Sequence, residues 1–202
     1  MPAHRKTHQI AVGSVIESQQ LTTISGATVG ISDPDRITHL QFRRFAGCPV
    51  CNMHLQSIVR RHDEIIRAGV RELVVFHSTV DELNEHAAHL PFAVIADPHK
   101  RLYVDFGVES SPRSLLHPRA WGSILRAIVL SLVTVVRGGR PPTLIPKGGR
   151  FGLPADFLIG RDGRVLDSKY GDHVYDQWSV DELLQLVKSH ARYGSYEHGQ
   201  IP

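Results

Sequence analysis

Residues 42–55 read FRRFAGCPVCNMHL, and Cys48 and Cys51 within them are the only two cysteines in 202 residues. Three residues apart, they form a redox pair, half of a metal site, or two inert buried thiols. The flanking sequence discriminates among these. Residues 37–42 read as a short strand, and after Cys48 the apolar period changes: Cys51, Leu55, Ile58, Val59, Ile65 and Ile66 mark one face of a helix over residues 50–68. Pro49 takes the first-turn position, where its missing N–H is tolerated. Cys48 therefore stands at a helix N-terminus, where unpaired N–H groups and the positive end of the macrodipole favour thiolate over thiol. Cys51, one turn further in, is placed to close a disulfide once Cys48 is oxidised.

A Cys-x-x-Cys at a strand-to-helix junction is a redox signature when the chain alternates strands and helices. The metal reading needs two further ligands, and the nearest, His54, lies on the same helix. The 13 histidines are scattered from His4 to His198, with no second ligand pair at a zinc-like spacing.

Composition narrows the class. The chain is long enough for one sizeable domain, and 42% apolar with 21% charged residues is ordinary for a soluble globular protein. A net charge of +3, without a basic stripe interleaved with aromatics, argues against nucleic acid as a partner. The N-terminal stretch lacks the apolar region of a secretory signal, and the longest apolar run, 127–136, falls short of the ~20 residues of a spanning helix. The expected location is the cytoplasm, where paired cysteines are rarely structural staples.

The rest of the chain supplies the frame. Residues 28–32 and 37–42 read as strands around the turn Ser32-Asp33-Pro34-Asp35. Gly69 is placed to end the first helix, and residues 72–77 form a buried strand. Thr79 and Glu82 have capping-box spacing and open a helix that stops before Pro91. Residues 92–96 are a strand and 97–100 a turn. Residues 155–159 and 164–167 flank Asp162-Gly163 as a hairpin. Ser179 and Glu182 form a second capping box, with Trp178 and Leu183 as its hydrophobic staple, and the final helix runs to about Tyr193. The order predicts an α/β fold with a mixed central sheet flanked by helices and an inserted apolar helical segment around 110–152. We divide the chain into a partly flexible extension (1–23), one domain (24–193) and a tail (194–202).

In order along the chain come GCPVCNMHL (47–55), IADP (95–98), Leu102-Tyr103 with Phe106-Gly107-Val108, and GLPADFLI (152–159) with Asp162-Gly163. Together they resemble the AhpC/TSA, peroxiredoxin-like branch of the thioredoxin superfamily, over residues 24–190. The resemblance implies a thioredoxin-like fold, thiol-dependent chemistry at Cys48 and Cys51, and a cis-proline facing the cysteines, which falls on Pro154. The activity implied is peroxide reduction; the alternatives are thiol–disulfide exchange and a non-catalytic interaction module. No cofactor beyond the cysteine pair is implied, nor a metal. The partners would be a peroxide or disulfide substrate and a thioredoxin-like or low-molecular-weight thiol reductant.

The departures from that pattern matter as much. Where peroxiredoxins carry a Thr or Ser three residues before the peroxidatic cysteine, and a Pro four before that, this chain has Phe45 and Gln41. Pro154 stands where their peroxide-binding Arg would align. Arg43 or Arg44 is the candidate substitute, since one of two neighbouring strand residues must face the Cys48 side; a solvated surface arginine is the alternative for each. His54 reads as a helix-surface histidine or a thiolate partner, and Asp156 as an ordinary strand residue or a proton acceptor for Cys51. The helix-like stretch 121–136 is apolar around most of its circumference. It packs on its own domain, forms a homodimer interface, or lines an apolar substrate entrance.

Overall fold

The computed structural model describes residues 9–108 and 152–197, together with positions 122, 125, 126, 129, 133 and 136. Its central sheet has five strands: β3 (Ile37–Arg43), β4 (Val70–Phe76), β5 (Ala93–Ala96), β6 (Ala155–Ile159) and β7 (Val165–Tyr170), in the order β5-β4-β3-β6-β7. β3, β4 and β5 run parallel, while β6 and β7 are added antiparallel, as the Asp-Gly hairpin predicts. Gly163 supplies the positive φ of that turn, +80°. A small antiparallel pair, β1 (Gln20–Thr22) and β2 (Thr28–Gly30), precedes the sheet.

Helices α1 (Pro49–Arg60), α2 (His62–Arg67), α3 (Val80–His86), α4 (Arg101–Asp105) and α5 (Val180–Glu197) complete the frame. Both predicted capping boxes form. The Thr79 hydroxyl accepts from Glu82 N–H, with the Glu82 carboxylate returning to Thr79 N–H. Ser179 and Glu182 make the same reciprocal pair. Trp178 and Leu183 share one apolar cluster, as a staple requires.

Alternation along β3 divides the molecule. Leu40 and Phe42 enter an apolar core with Leu73, Val75, Phe157 and Ile159, closed by Tyr103 and Phe106. His39, Gln41 and Arg43 point to the opposite face, beneath α1, and are fully buried there. That second face is apolar toward its margins, where Val70 and Leu158 pack with Ile58, Leu183 and Trp178, and Val74 and Phe76 with Leu55 and Leu83.

Three features depart from the expectations or add to them. The helix over 50–68 is two helices, broken at Arg61 (φ −117°, ψ 18°), where Arg61 N–H closes a tighter bond to Ile58 C=O. The Arg61 guanidinium there bonds both Glu64 and Asp181, tying the break to the start of α5. After it, Ile65 is buried but Ile66 is turned outward. Second, the turn at 97–100 leads into α4, which lacks a conventional N-cap because Lys100 holds that slot in the left-handed conformation. Asp97 does the capping from further back, accepting the N–H groups of Arg101 (3.0 Å) and Leu102 (2.8 Å). Third, β7 and α5 each run a few residues beyond the predicted ends.

Residues 9–24 lie along the sheet. Gly13 N–H donates to Val165 C=O and Val165 N–H returns to Ser14 C=O, both at 2.8 Å. Thr23 bridges to Ile95, and Ile24 N–H reaches Val94 C=O on β5. Most of the segment 110–152 lies outside the described residues. The six described positions of the 121–136 stretch are helical, and Leu125, Val129, Val133 and Val136 among them are exposed. Among the described residues no helix is long and apolar enough to cross a membrane.

Asp97→Ala removes both acceptors of the α4 start and is expected to lower stability by about 1–2 kcal/mol. Asp97→Asn should recover part of the loss. Urea unfolding midpoints at unchanged slope check this.

Candidate active site

Cys48 is the N-cap residue of α1 (φ −64°, ψ 116°) and Pro49 is the first helical residue. The turn before them needs Gly47 at φ +73°. Both cysteines are free thiols and nearly inaccessible, 2% and 3% exposed, in a small cluster with Phe45, Val50 and Val174, against which Tyr175 packs.

Arg44 is the arginine beside the sulfur. Its Nη1 lies 3.7 Å from Cys48 Sγ, and its guanidinium sits 5.2 Å from the Phe45 ring centroid. Gly152 lets the chain pass here: a Cβ at that position would come within 3.2 Å of His77 Nε2 and 3.8 Å of Arg44 Cγ. The expected cis-proline is not found. No peptide bond among the described residues is cis, so Pro154 is trans, the ordinary isomer. Pro154 is buried, its C=O accepts from Gly171 N–H, and its ring packs against Gly171.

Arg43 has a different place. It belongs to a layer of buried polar side chains from four segments (β3, β4, β6 and α1), each no more than 3% exposed. Its Nη2 donates to Asp156 Oδ1 and Gln41 Oε1, both at 2.6 Å, and meets His54 Nε2 at 3.2 Å. His39 bridges two carboxylates, Nδ1 to Glu72 at 2.9 Å and Nε2 to Asp156 at 3.2 Å. Gln41 bonds Glu72, and Trp178 N–H donates to the other oxygen of Asp156. His54 is therefore a buried member of this layer and not a surface histidine, because α1 turns Cys51, His54, Leu55 and Ile58 inward together. The hydrogen bonds of Asp156 go to Arg43, His39 and Trp178, and none goes to a cysteine.

Electrostatics in this dry layer is strong. Burial opposes charge on His39, but Glu72 and Asp156 outweigh it and raise its pKa to about 9. Burial likewise opposes the Asp156 charge, and Arg43 and His39 outweigh that, holding its carboxyl well below the usual range. Burial and then Arg43 keep His54 neutral, far below its ordinary value. The two thiols share one proton. A hydrogen bond from Cys48 brings Cys51 down to about 6 against burial, aided by Arg44. Cys48 is pushed up by burial and by the neighbouring sulfur. The N-cap position pulls the charge the other way, toward Cys48, and Arg44 stabilises it on either sulfur. The sulfurs are one proton hop apart, so the anion belongs to the pair.

Sequence reasoning missed the polar layer. Polar residues at alternate positions, as His39, Gln41 and Arg43 are, form the ordinary pattern of a strand's wet face. The signal lay in the partners: strand pairing sets Glu72 opposite His39 and Asp156 opposite Gln41. Alongside α1 runs a cleft of about 300 Å³, lined by His54, Ser57 and Arg60 on one side and Tyr175, Gln177 and Asp181 on the other. Among the described residues no group of three or more His, Cys, Asp or Glu is arranged to hold a metal ion.

Removing Asp156 strands Arg43 and His39 with their charges. Asp156→Ala is expected to destabilise the fold by about 3–5 kcal/mol. The pH dependence has a fixed sign. The raised His39 value contributes stability that is complete below its unfolded value of 6.5 and is lost as pH rises through about 9. The depressed Asp156 value contributes stability present above 3.8 and lost on acidification below it. Unfolding midpoints should therefore fall between pH 7 and pH ~10 more steeply in the wild type than in His39→Gln.

The sequence model of the AhpC/TSA antioxidant enzyme family matches residues 57–173, more than half of the chain, beginning just after the cysteine pair. No curated protein sequence matches the chain. Among solved structures, a cysteine-to-serine mutant of the peroxiredoxin 6 of Arenicola marina is similar at TM-score 0.64 and 16% identity, over 92% of this chain and 75% of that one. The reduced 2-Cys peroxiredoxin of Plasmodium vivax gives 0.63 and 13%, over 94% and 91%. A Chlorobium tepidum protein described as a thiol:disulfide interchange protein DsbE gives 0.54 and 18%, over 91% and 99%. Those likenesses establish the architecture shared by peroxiredoxins and thioredoxin-like oxidoreductases. With a thioredoxin fold and this family match, the chain belongs to the AhpC/TSA antioxidant enzyme family.

Proposed function

We propose that the chain is a thiol-dependent antioxidant oxidoreductase that reduces peroxides at a modest rate through Cys48 and Cys51. One observation carries the reading: Cys48 caps α1, one turn from Cys51, with Arg44 Nη1 at 3.7 Å from its sulfur. In the reaction, Cys48 thiolate attacks one peroxide oxygen, the O–O bond breaks, and the departing alkoxide or hydroxide takes a proton. Cys51 then attacks the sulfenic sulfur of Cys48, water leaves, and the disulfide forms. Two low-molecular-weight thiols, or one thioredoxin-like dithiol, return the two electrons. A cytoplasmic location fits a pair that must be re-reduced.

The modest rate follows from what surrounds the sulfur. Phe45 and Pro154 stand where peroxiredoxins bring a hydroxyl and a guanidinium, and each lost donor costs on the order of 10²-fold or more. Arg44 supplies charge to the thiolate. The second reading is thiol–disulfide exchange, in which Cys48 attacks a substrate disulfide and Cys51 resolves the mixed disulfide. The Cys-x-x-Cys spacing and the two missing donors favour it.

Stopped-flow oxidation of the reduced protein by peroxide and by a model disulfide separates the two. A peroxide rate about one to a hundred times that of a free thiol, corrected for thiolate fraction, is expected. Cys48→Ser should abolish turnover, whereas Cys51→Ser should consume one equivalent and stop at the sulfenic acid. Alkylation below neutral pH should label Cys48 first. Prior labelling of Cys51 reverses the roles, and a peroxide rate many thousand-fold above free thiol refutes the modest-rate reading.

A further inference from the structure

The disulfide and the reduced pair differ by a charge, and the surroundings of the pair suit the charged form. Cationic groups reach it from two consecutive residues. Arg44 lies against Cys48 from the turn before α1, and Arg43, in the polar layer beside His54, adds a weaker pull on Cys51. From β6, Asp156 faces the same region, but its oxygens are taken by Arg43, His39 and Trp178 N–H. From α1, His54 sits beside Arg43, neutral. From α4, Tyr103 gives its hydroxyl proton to the C=O groups of Arg43 and Val75. Among the described residues, His77 just after β4 lies beside Phe45, and Tyr175 before α5 packs on the cysteine cluster. Nearly all of these are buried, so solvent screens their charges little.

Resting on the reading above, we propose that the Cys48–Cys51 disulfide is an oxidising one that small monothiols re-reduce, and that Arg44 is the positioning residue that makes it so. A reduced form stabilised as thiolate raises the potential of a dithiol couple. In the step, a monothiolate attacks one sulfur, the Cys48–Cys51 bond breaks, and the other sulfur leaves as a thiolate beside the guanidinium. A second monothiolate attacks the mixed disulfide and departs as the monothiol disulfide. Two monothiols supply both electrons; of their two protons, one stays on the pair and one goes to solvent. The pair's low exposure, 2% and 3%, under Phe45, Val174 and Tyr175, admits a small thiol more readily than a cysteine on a folded protein. A thiolate shared near pH 6 supports the same direction.

The test equilibrates the full chain with mixtures of reduced and oxidised glutathione and reads the disulfide fraction from the alkylation mass shift. Arg44→Met is expected to move the equilibrium at least tenfold toward the disulfide, about 30 mV more reducing. Arg44→Lys should recover part of that. In the wild type the potential-against-pH line should change slope near pH 6, and in Arg44→Met the break should move up. Failure of the wild type to form a reversible disulfide at all refutes the proposed function. A reversible disulfide whose equilibrium ignores Arg44→Met overturns this inference alone. So does a wild-type slope unbroken from about pH 5 to 8, a result that needs no variant to fold.

Discussion

The ion pair between Arg43 and Asp156 sets the terms for one side of the sheet. Both groups are fully buried, on adjacent strands, at 2.6 Å. Desolvating either alone would be prohibitive, so each needs the other and a set of hydrogen bonds around them. Gln41, His54 and the Phe42 C=O meet the Arg43 guanidinium, and His39 and Trp178 N–H the Asp156 carboxylate. Glu72 in turn balances His39. Helix α1 is laid over this arrangement through His54, and Cys51 and Cys48 follow one and two turns back along the same helix. The position of the cysteine pair is thereby tied to a charge balance made in the sheet.

Much of the frame was legible in the sequence because it rests on local chemistry. Capping boxes at Thr79 and Ser179, the Asp-Gly hairpin at 162–163 and the glycine at 69 each involve residues within four positions of one another. The misses involve distance. Asp97 caps α4 from four residues before its start, with Lys100 occupying the slot where a capping residue is sought. The break at Arg61 coincides with a bond to Asp181, 120 residues away. The β1 strand at 20–22 exists through its pairing with β2 and shows little pattern of its own.

The site divides the same way. A cysteine at a helix N-terminus can be read from a strand, a proline and a period change, and the neighbouring arginine follows from its closeness in the chain. The polar layer could not be read, because a strand that alternates apolar and polar residues normally wets its polar side. Burial of His39, Gln41 and Arg43 depends on Glu72 and Asp156 arriving from two other strands, one of them more than a hundred residues on. The proline was misjudged for a different reason. A resemblance assigned it a cis bond, and the isomer of an X–Pro bond is decided by three-dimensional surroundings.

The course of residues 9–24 has a consequence for how the molecule behaves among its neighbours. A five-stranded open sheet has two outer strands, here β5 and β7, whose unpaired N–H and C=O groups are templates for strands from other molecules. The N-terminal stretch uses groups on both: Val94 and Ile95 on one side, Val165 on the other. At those points a strand approaching either border meets donors or acceptors already engaged. The segment thus shields part of each border against edge-to-edge association.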